Sequence, residues 1–329
     1  MSALAQYLVQ NLFEEPNYAP TRDGFGQGLL ELGEKDPRVV ALCADLSEST
    51  RMLAFKEKYP ERFIQVGVAE QNLATIASGL ANYGKIPFIA SYAAFSPGRN
   101  NEQIRTTISL NNVPVKIVGS HAGLSVGPDG ATHQALEDIA LMRVQPNMTV
   151  ISPCDKEEAR KATLAAAAHP GPVYIRLARE KTPVITTADT PFQIGKATEL
   201  WQGNNPQVAV FVTGPLAHNA LLAAQALASE ISVTVINIHT IKPIDEAAVI
   251  SFAKQAGSVV TVEEHQIAGG LGSAVAEVLA RNYPVPIEFI GVHDRFGQSG
   301  EGVELWREYK LDASSIQAAI RTVFARKLT

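Results

Sequence analysis

Short, almost wholly apolar runs alternate with helix-patterned stretches along most of the chain, and this alternation constrains the fold more than any other feature. The runs are "VVALCADL" (39–46), "FIQVGV" (63–68), "IPFIASYAAF" (86–95), "VPVKIVGS" (113–120), "MTVISP" (148–153) and "PVYIRLA" (172–178). Half-solvated strands would alternate polar and apolar residues, whereas near-continuous apolar runs suit strands covered on both faces. Helical patterns fall between several of them, over 22–34, 70–83, 134–143 and 155–168. The segment "REKTPVITTADTPFQIGKA" (179–197) breaks the rhythm with Pro, Thr and polar residues. A second strand set follows: "QVAVFVTG" (207–214), "SVTVINI" (232–238), "GSVVTVEE" (257–264) and "PIEFIGV" (286–292). The expected fold class is α/β, as two three-layer domains with mostly parallel sheets. The expected division is a helical arm over 1–15 (helix at about 2–13), a first domain over 16–185, a linker over 186–200 and a second domain over 201–329.

Bulk properties narrow the function classes. The chain has 329 residues, 46% of them hydrophobic and 19% charged, enough for two large cores. A net charge of −5 with no Lys/Arg run argues against nucleic acid as a partner. Cys43 and Cys154 are the only cysteines, which excludes a disulfide framework or a thiolate metal site. No apolar stretch approaches the roughly 18 residues of a membrane span, and "MSALAQYLVQNLFEEP" lacks the pattern of a signal peptide. Together these point to a cytoplasmic protein without a membrane partner.

In parallel sheets ligands bind outside the carboxyl ends of the strands, so the polar residues there are the candidates. Asp45 and Ser49 follow the first run, Tyr92 and Phe95 end the third, and Arg179 ends the sixth. Arg22 opens the first long helix. Each arginine alone reads as a surface ion pair; two of them at the rim of one crevice would instead suit a phosphate, because the planar guanidinium fork matches its oxygens. "GSHAGLSVGPDGATHQALED" (119–138) is a long Gly-rich loop carrying His121, Asp129 and His133. Glu137 and Asp138 read there as solvated helix residues. Glu70, in "QVGVAEQNLA", starts a helix whose buried face is marked by Leu73, Ile76, Ala77 and Leu80. An acid at that point either complements the helix dipole or acts on a ligand at a strand end. The glycines of "EEHQIAGGLGSAVAEVLA" (263–280) match neither a dinucleotide fingerprint nor a P-loop, and read as structural.

"GVAEQN", "SHAGLSVGPDGATHQALED" and the order of the strand ends resemble the thiamine-diphosphate-dependent transketolases, of which this chain covers the second half. No "GDG" occurs, the motif with which the family holds the diphosphate and Mg²⁺. The resemblance therefore implies the carboxy-terminal subunit of a split transketolase. An amino-terminal subunit with the GDG motif would complete each site in a two-plus-two heterotetramer, and would hold the Mg²⁺. This chain would hold no metal. The first domain would bind the cofactor pyrimidine, and the second would be the family's carboxy-terminal domain.

The resemblance also implies residue roles. Glu70 would hydrogen-bond the aminopyrimidine of thiamine diphosphate and promote loss of the thiazolium proton. Asp45, Tyr92 and Phe95 would contact the cofactor rings, although Gly98 stands where the family has a further aromatic. Arg22, Ser49, His121 and Arg179 would bind the sugar phosphate, Asp129 would read a hydroxyl, and His133 would stand near the reacting oxygens. The implied activity is transfer of a two-carbon ketol unit between sugar phosphates. A deoxyxylulose-phosphate synthase-like half, an oxo-acid dehydrogenase β-type half and a non-catalytic binding subunit remain as alternatives.

Overall fold

A computed structural model describes residues 3–327. Its strands are β1 (Ala3–Leu4), β2 (Tyr18–Pro20), β3 (Val39–Cys43), β4 (Phe63–Gln65), β5 (Ile86–Tyr92), β6 (Lys116–Ser120), β7 (Thr149–Ile151), β8 (Val173–Arg176), β9 (Lys181–Pro183), β10 (Thr198–Gln202), β11 (Val208–Val212), β12 (Val233–Asn237), β13 (Thr240–Lys242), β14 (Val259–Gln266) and β15 (Ile287–Val292). The first sheet runs β13-β7-β8-β6-β5-β3-β4 and is parallel except at its β13 edge. Its strands are apolar throughout because alternate residues feed opposite cores. Val40, Leu42, Ile89 and Ile117 pack with Leu73 and Ala77 of the helix Glu70–Asn82. Ala41, Cys43, Phe88 and Val118 pack with residues of the helices Thr21–Lys35 and Lys156–Ala168. Those two helices touch at Gly24, where a Cβ would lie 1.8 Å from the Lys156 carbonyl oxygen, so only glycine allows the approach.

The second sheet runs β1-β10-β12-β11-β14-β15. It is parallel from β12 to β15, with β1 and β10 antiparallel at one edge. One face packs on the helices Ala217–Leu227 and Ala313–Lys327, the other on Glu246–Ala256 and Leu271–Asn282. β2 and β9 form a separate two-stranded ribbon. No helix among the described residues is long and apolar enough to cross a membrane.

Two sequence expectations are corrected. The described part of the opening segment, residues 3–15, holds β1 and turns in place of a helix; residue 2 lies outside the described residues. Ala3 and Leu4 pair with β10, while Leu8 and Leu12 enter the core of the second sheet. A helix this short is marginal in water, so pairing and burial win over the local pattern. The expected linker (186–200) ends sooner than expected: 187–197 are turns and coil, but Thr198–Leu200 already belong to β10 of the second sheet, and β9, in the polar segment just before the linker, pairs with β2. In the other direction β13 leaves the second half of the chain and pairs with β7 at the edge of the first sheet. Each sheet thus contains a strand from the other end of the chain, a long-range pairing with no local signature.

Candidate active site

The start of the helix Thr21–Lys35, the turn after β3 and the end of β6 meet around one pair of side chains. The Arg22 guanidinium donates from Nη1 to the Ser49 carbonyl at 2.9 Å and lies 3.2 Å from His121 Nε2. Arginine has no acceptor, so His121 Nε2 accepts and its Nδ1–H donates to Ser120 Oγ, 2.8 Å away. Burial, reinforced by Arg22 and Arg179, pushes the His121 pKa down to about 3, so the imidazole is neutral. Burial and the neighbouring Arg51 lower the pKa of Arg22, whose Nε is buried with no hydrogen-bond partner among the described residues. Asp45, Arg51 and His121 all have positive φ, at 60°, 64° and 56°. Non-glycine residues pay for that conformation, and such strain collects at functional sites.

His121 stacks on Tyr92, ring centres 3.8 Å apart. Tyr92 lies over Phe95 at 6.1 Å, and His133 meets the Phe95 ring edge-on at 5.3 Å. The guanidinium of Arg99 sits over Phe95, 4.7 Å from its centre, and donates to Glu70 Oε2 at 2.9 Å. Glu70 is only 2% exposed, whereas the Arg99 side chain is 50% exposed. Its other carboxylate oxygen, Oε1, receives no hydrogen bond among the described residues. Asn100 fixes the helix start by donating to the Glu70 carbonyl at 2.9 Å. At Gly98 a Cβ would lie 2.2 Å from the Ala94 carbonyl oxygen. This backbone therefore excludes an aromatic there.

A continuous series of contacts thus joins Glu70, Arg99, Phe95, Tyr92, His133, His121 and Arg22. Arg179 joins through the loop, donating to the Val126 carbonyl at 2.6 Å. Asp129 and Asp45 are exposed and are not drawn into this series; the Asp45 N–H donates to the Gln65 side chain at 2.7 Å.

Asp138 departs from the sequence reading. It is 1% exposed rather than solvated, and takes Arg176 Nε at 2.8 Å and the Tyr174 hydroxyl at 2.6 Å. The cause is Arg176 at the buried end of β8, which needs an anion where no water reaches. Arg99 and Arg176 were both missed as partners. They lie 29 and 38 residues from the acids they meet, and nothing local links them. The glycine-rich turn at 267–272 is internal, as its motif mismatch suggested. The Glu263 carboxylate already takes the N–H groups of Leu271 and Gly272 at 2.7 and 2.8 Å.

Comparison with known proteins shows the family. Residues 17–184 match the family "Transketolase, pyrimidine binding domain", and residues 195–316 match "Transketolase, C-terminal domain". The chain is 44% identical over 307 residues to a putative transketolase C-terminal section of Methanocaldococcus jannaschii, covering 92% of this chain and 96% of that one. It is 42% identical to a 6-deoxy-6-sulfo-D-fructose transketolase subunit of a Clostridium species, covering 93% and 95%. A solved structure described as a split-gene transketolase, inactive β4 tetramer, superposes with a TM-score of 0.87 at 43% identity, covering 94% of this chain and 99% of that chain.

Proposed function

The chain belongs to the transketolase family, and from that premise we propose that it is the carboxy-terminal subunit of a thiamine-diphosphate-dependent split transketolase. Two copies join two amino-terminal subunits that carry the GDG motif and the Mg²⁺. The assembly transfers a two-carbon ketol unit between sugar phosphates.

The observation that carries this reading is Glu70: a 2% exposed carboxylate at a strand-to-helix crossing, with one oxygen on a half-exposed arginine and the other without a donor among the described residues. That donor set, beside the partly exposed rings of Phe95 and Tyr92, fits a flat heteroaromatic ring with a protonatable nitrogen. Thiamine diphosphate, when bound, supplies the nucleophilic carbon and the electron sink. Glu70 holds the proton at its pyrimidine ring nitrogen, a preorganised contact. Asp45, Tyr92 and Phe95 flank the cofactor. Arg22, Arg179, neutral His121 and Ser49 hold the anionic end of the sugar, Asp129 reads a hydroxyl, and His133 stands at the reacting oxygens. The lone chain has no GDG motif, and its similar structure is described as an inactive β4 tetramer; both support the need for a partner.

A second reading concerns the substrate anion. The Clostridium relative is named for a sulfonated sugar, and paired arginines with a neutral histidine suit a sulfonate as well as a phosphate. Co-expression with an amino-terminal transketolase subunit, then a ketol-transfer assay with thiamine diphosphate and Mg²⁺ on phosphorylated and sulfonated donors, tests both readings. Turnover is expected only in the assembly, and the preferred donor fixes the anion. Tight Mg²⁺-dependent binding of the cofactor by the chain alone would contradict the split-site reading.

A further inference from the structure

The second domain touches the loop that carries His121, Asp129 and His133, and one residue makes the central contact. Glu264 lies near the end of β14 and is 1% exposed. Its Oε1 accepts from the Ser125 N–H at 2.6 Å and from Trp306 Nε1 at 2.9 Å, and its Oε2 accepts from Ser125 Oγ at 3.2 Å. Burial raises its pKa, and the cation of Arg176 with these donors acts against that rise. Arg176 also donates to the Glu264 carbonyl at 2.8 Å. Gly123, with φ of 86°, lies so close that a Cβ there would stand 2.5 Å from the Glu264 carboxyl carbon.

The rest of the loop follows the same surface. The Gln134 amide donates to the Gln298 carbonyl at 2.9 Å and to the Leu124 carbonyl at 3.0 Å. A Cβ at Gly130, next to Asp129, would lie 2.7 Å from Ser299 Oγ.

We infer that Glu264 is a positioning residue: its carboxylate fixes the Gly123–Ser125 turn from the second domain and thereby sets where His121, Asp129 and His133 stand. The second domain is then the template on which the substrate loop is folded. A buried carboxylate that receives three donors, two of them from the turn two to four residues after His121, has no counterpart elsewhere along this loop. The functional half of the inference rests on the transketolase reading; the structural half does not.

Two measurements on the full chain test it, using Glu264→Ala, Glu264→Gln and, if the alanine variant does not fold, Glu264→Asp, which withdraws the carboxylate by one methylene. Glutamine keeps Oε1 for Ser125 N–H and Trp306, and the Ser125 hydroxyl can turn to accept from the new amide, so it is the conservative rescue. In the purified chain, amide hydrogen exchange over 123–130 should quicken at least about tenfold in Glu264→Ala, while β11 and β14 stay protected and Glu264→Gln stays near wild type. In the assembled enzyme the alanine change should lower kcat/KM for the sugar substrate by up to about a hundredfold, the scale on which a misplacement of about 1 Å costs rate. Proton exchange at the cofactor should be unchanged. Unaltered loop exchange, or a loss of activity matched by a loss of global stability that glutamine does not rescue, would overturn the inference. Absence of ketol transfer in the wild-type assembly would instead sink the functional reading, leaving the exchange result to decide the structural half.

Discussion

Glu70 and Glu263 stand at equivalent kinds of place in the two sheets. Each carboxylate is buried at the crossing from a parallel strand to a helix, one after β4 and one on β14. Their surroundings differ. Glu263 fills its own helix amino-terminus, with N–H groups at 2.7 and 2.8 Å, and Gly270 is packed so tightly that a Cβ would lie 1.9 Å from its Oε2. Glu70 has one cation, Arg99, which is half-exposed, and no donor to its second oxygen among the described residues. The same crossing can spend its anion-binding end on the fold or keep it for a ligand. The second sheet has done the first, and the first sheet the second. Substitutions around β14 and at the seam where Arg176, paired with Asp138, reaches the Glu264 carbonyl on β14 should therefore cost stability, and substitutions around β5 and β6 should cost ligand recognition.

The largest effect should come at the seam. Asp138→Ala leaves the 4% exposed Arg176 without its anion, and breaking a buried pair in this way costs roughly 3–5 kcal/mol. Chemical denaturation should show that loss, and a midpoint equal to wild type would remove the seam from the comparison. A somewhat smaller effect separates the two acids by pH. Burial raises the Glu263 pKa to about 7 from an ordinary 4.5. A raised carboxyl contributes stability that is full below about 4.5 and is lost as pH rises through 7. Between pH 5 and 8 the wild type should lose up to about 3 kcal/mol relative to Glu263→Gln. Parallel stability curves for the two proteins would show that Glu263 is ionised throughout.

Next come the recognition residues. Arg22→Ala or Arg179→Ala should weaken apparent affinity for an anionic sugar by about 1.5–3 kcal/mol, sparing an uncharged donor. Equal losses on both substrates would make these arginines structural. The smallest effect expected is none: with a pKa near 3, His121 should show no titration by NMR between pH 5 and 9. A midpoint inside that range would contradict the burial of His121 beside Arg22 and Arg179.

The strand ends were legible in the sequence because parallel strands buried on both faces leave an unmistakable apolar pattern, and polar residues that interrupt it at a carboxyl end must serve something. Arg22 and His121, 99 residues apart, were brought to one anion site by the family resemblance and not by any local pattern, and the structure puts them in contact. Pairings between distant segments were not legible. β1 with β10, β13 with β7, Arg176 with Asp138 and Glu264 with Ser125 all join segments whose local patterns say nothing of each other. Asp138 illustrates the limit: at a helix start it has the local look of a solvated acid, and only the buried arginine 38 residues on makes it a core residue.

The most direct test of this contrast is Glu70→Gln in the assembled two-subunit enzyme, read by hydrogen–deuterium exchange at the reactive carbon of bound thiamine diphosphate. Glutamine keeps the shape of the side chain but cannot share a proton as a carboxyl does. Exchange should slow by about a hundredfold or more, on the scale of a lost acid–base contribution, with subunit association intact. A residue that only complements the helix dipole would lose at most about 1 kcal/mol of stability and leave exchange at the wild-type rate; that result would contradict the assignment of Glu70 to the ligand.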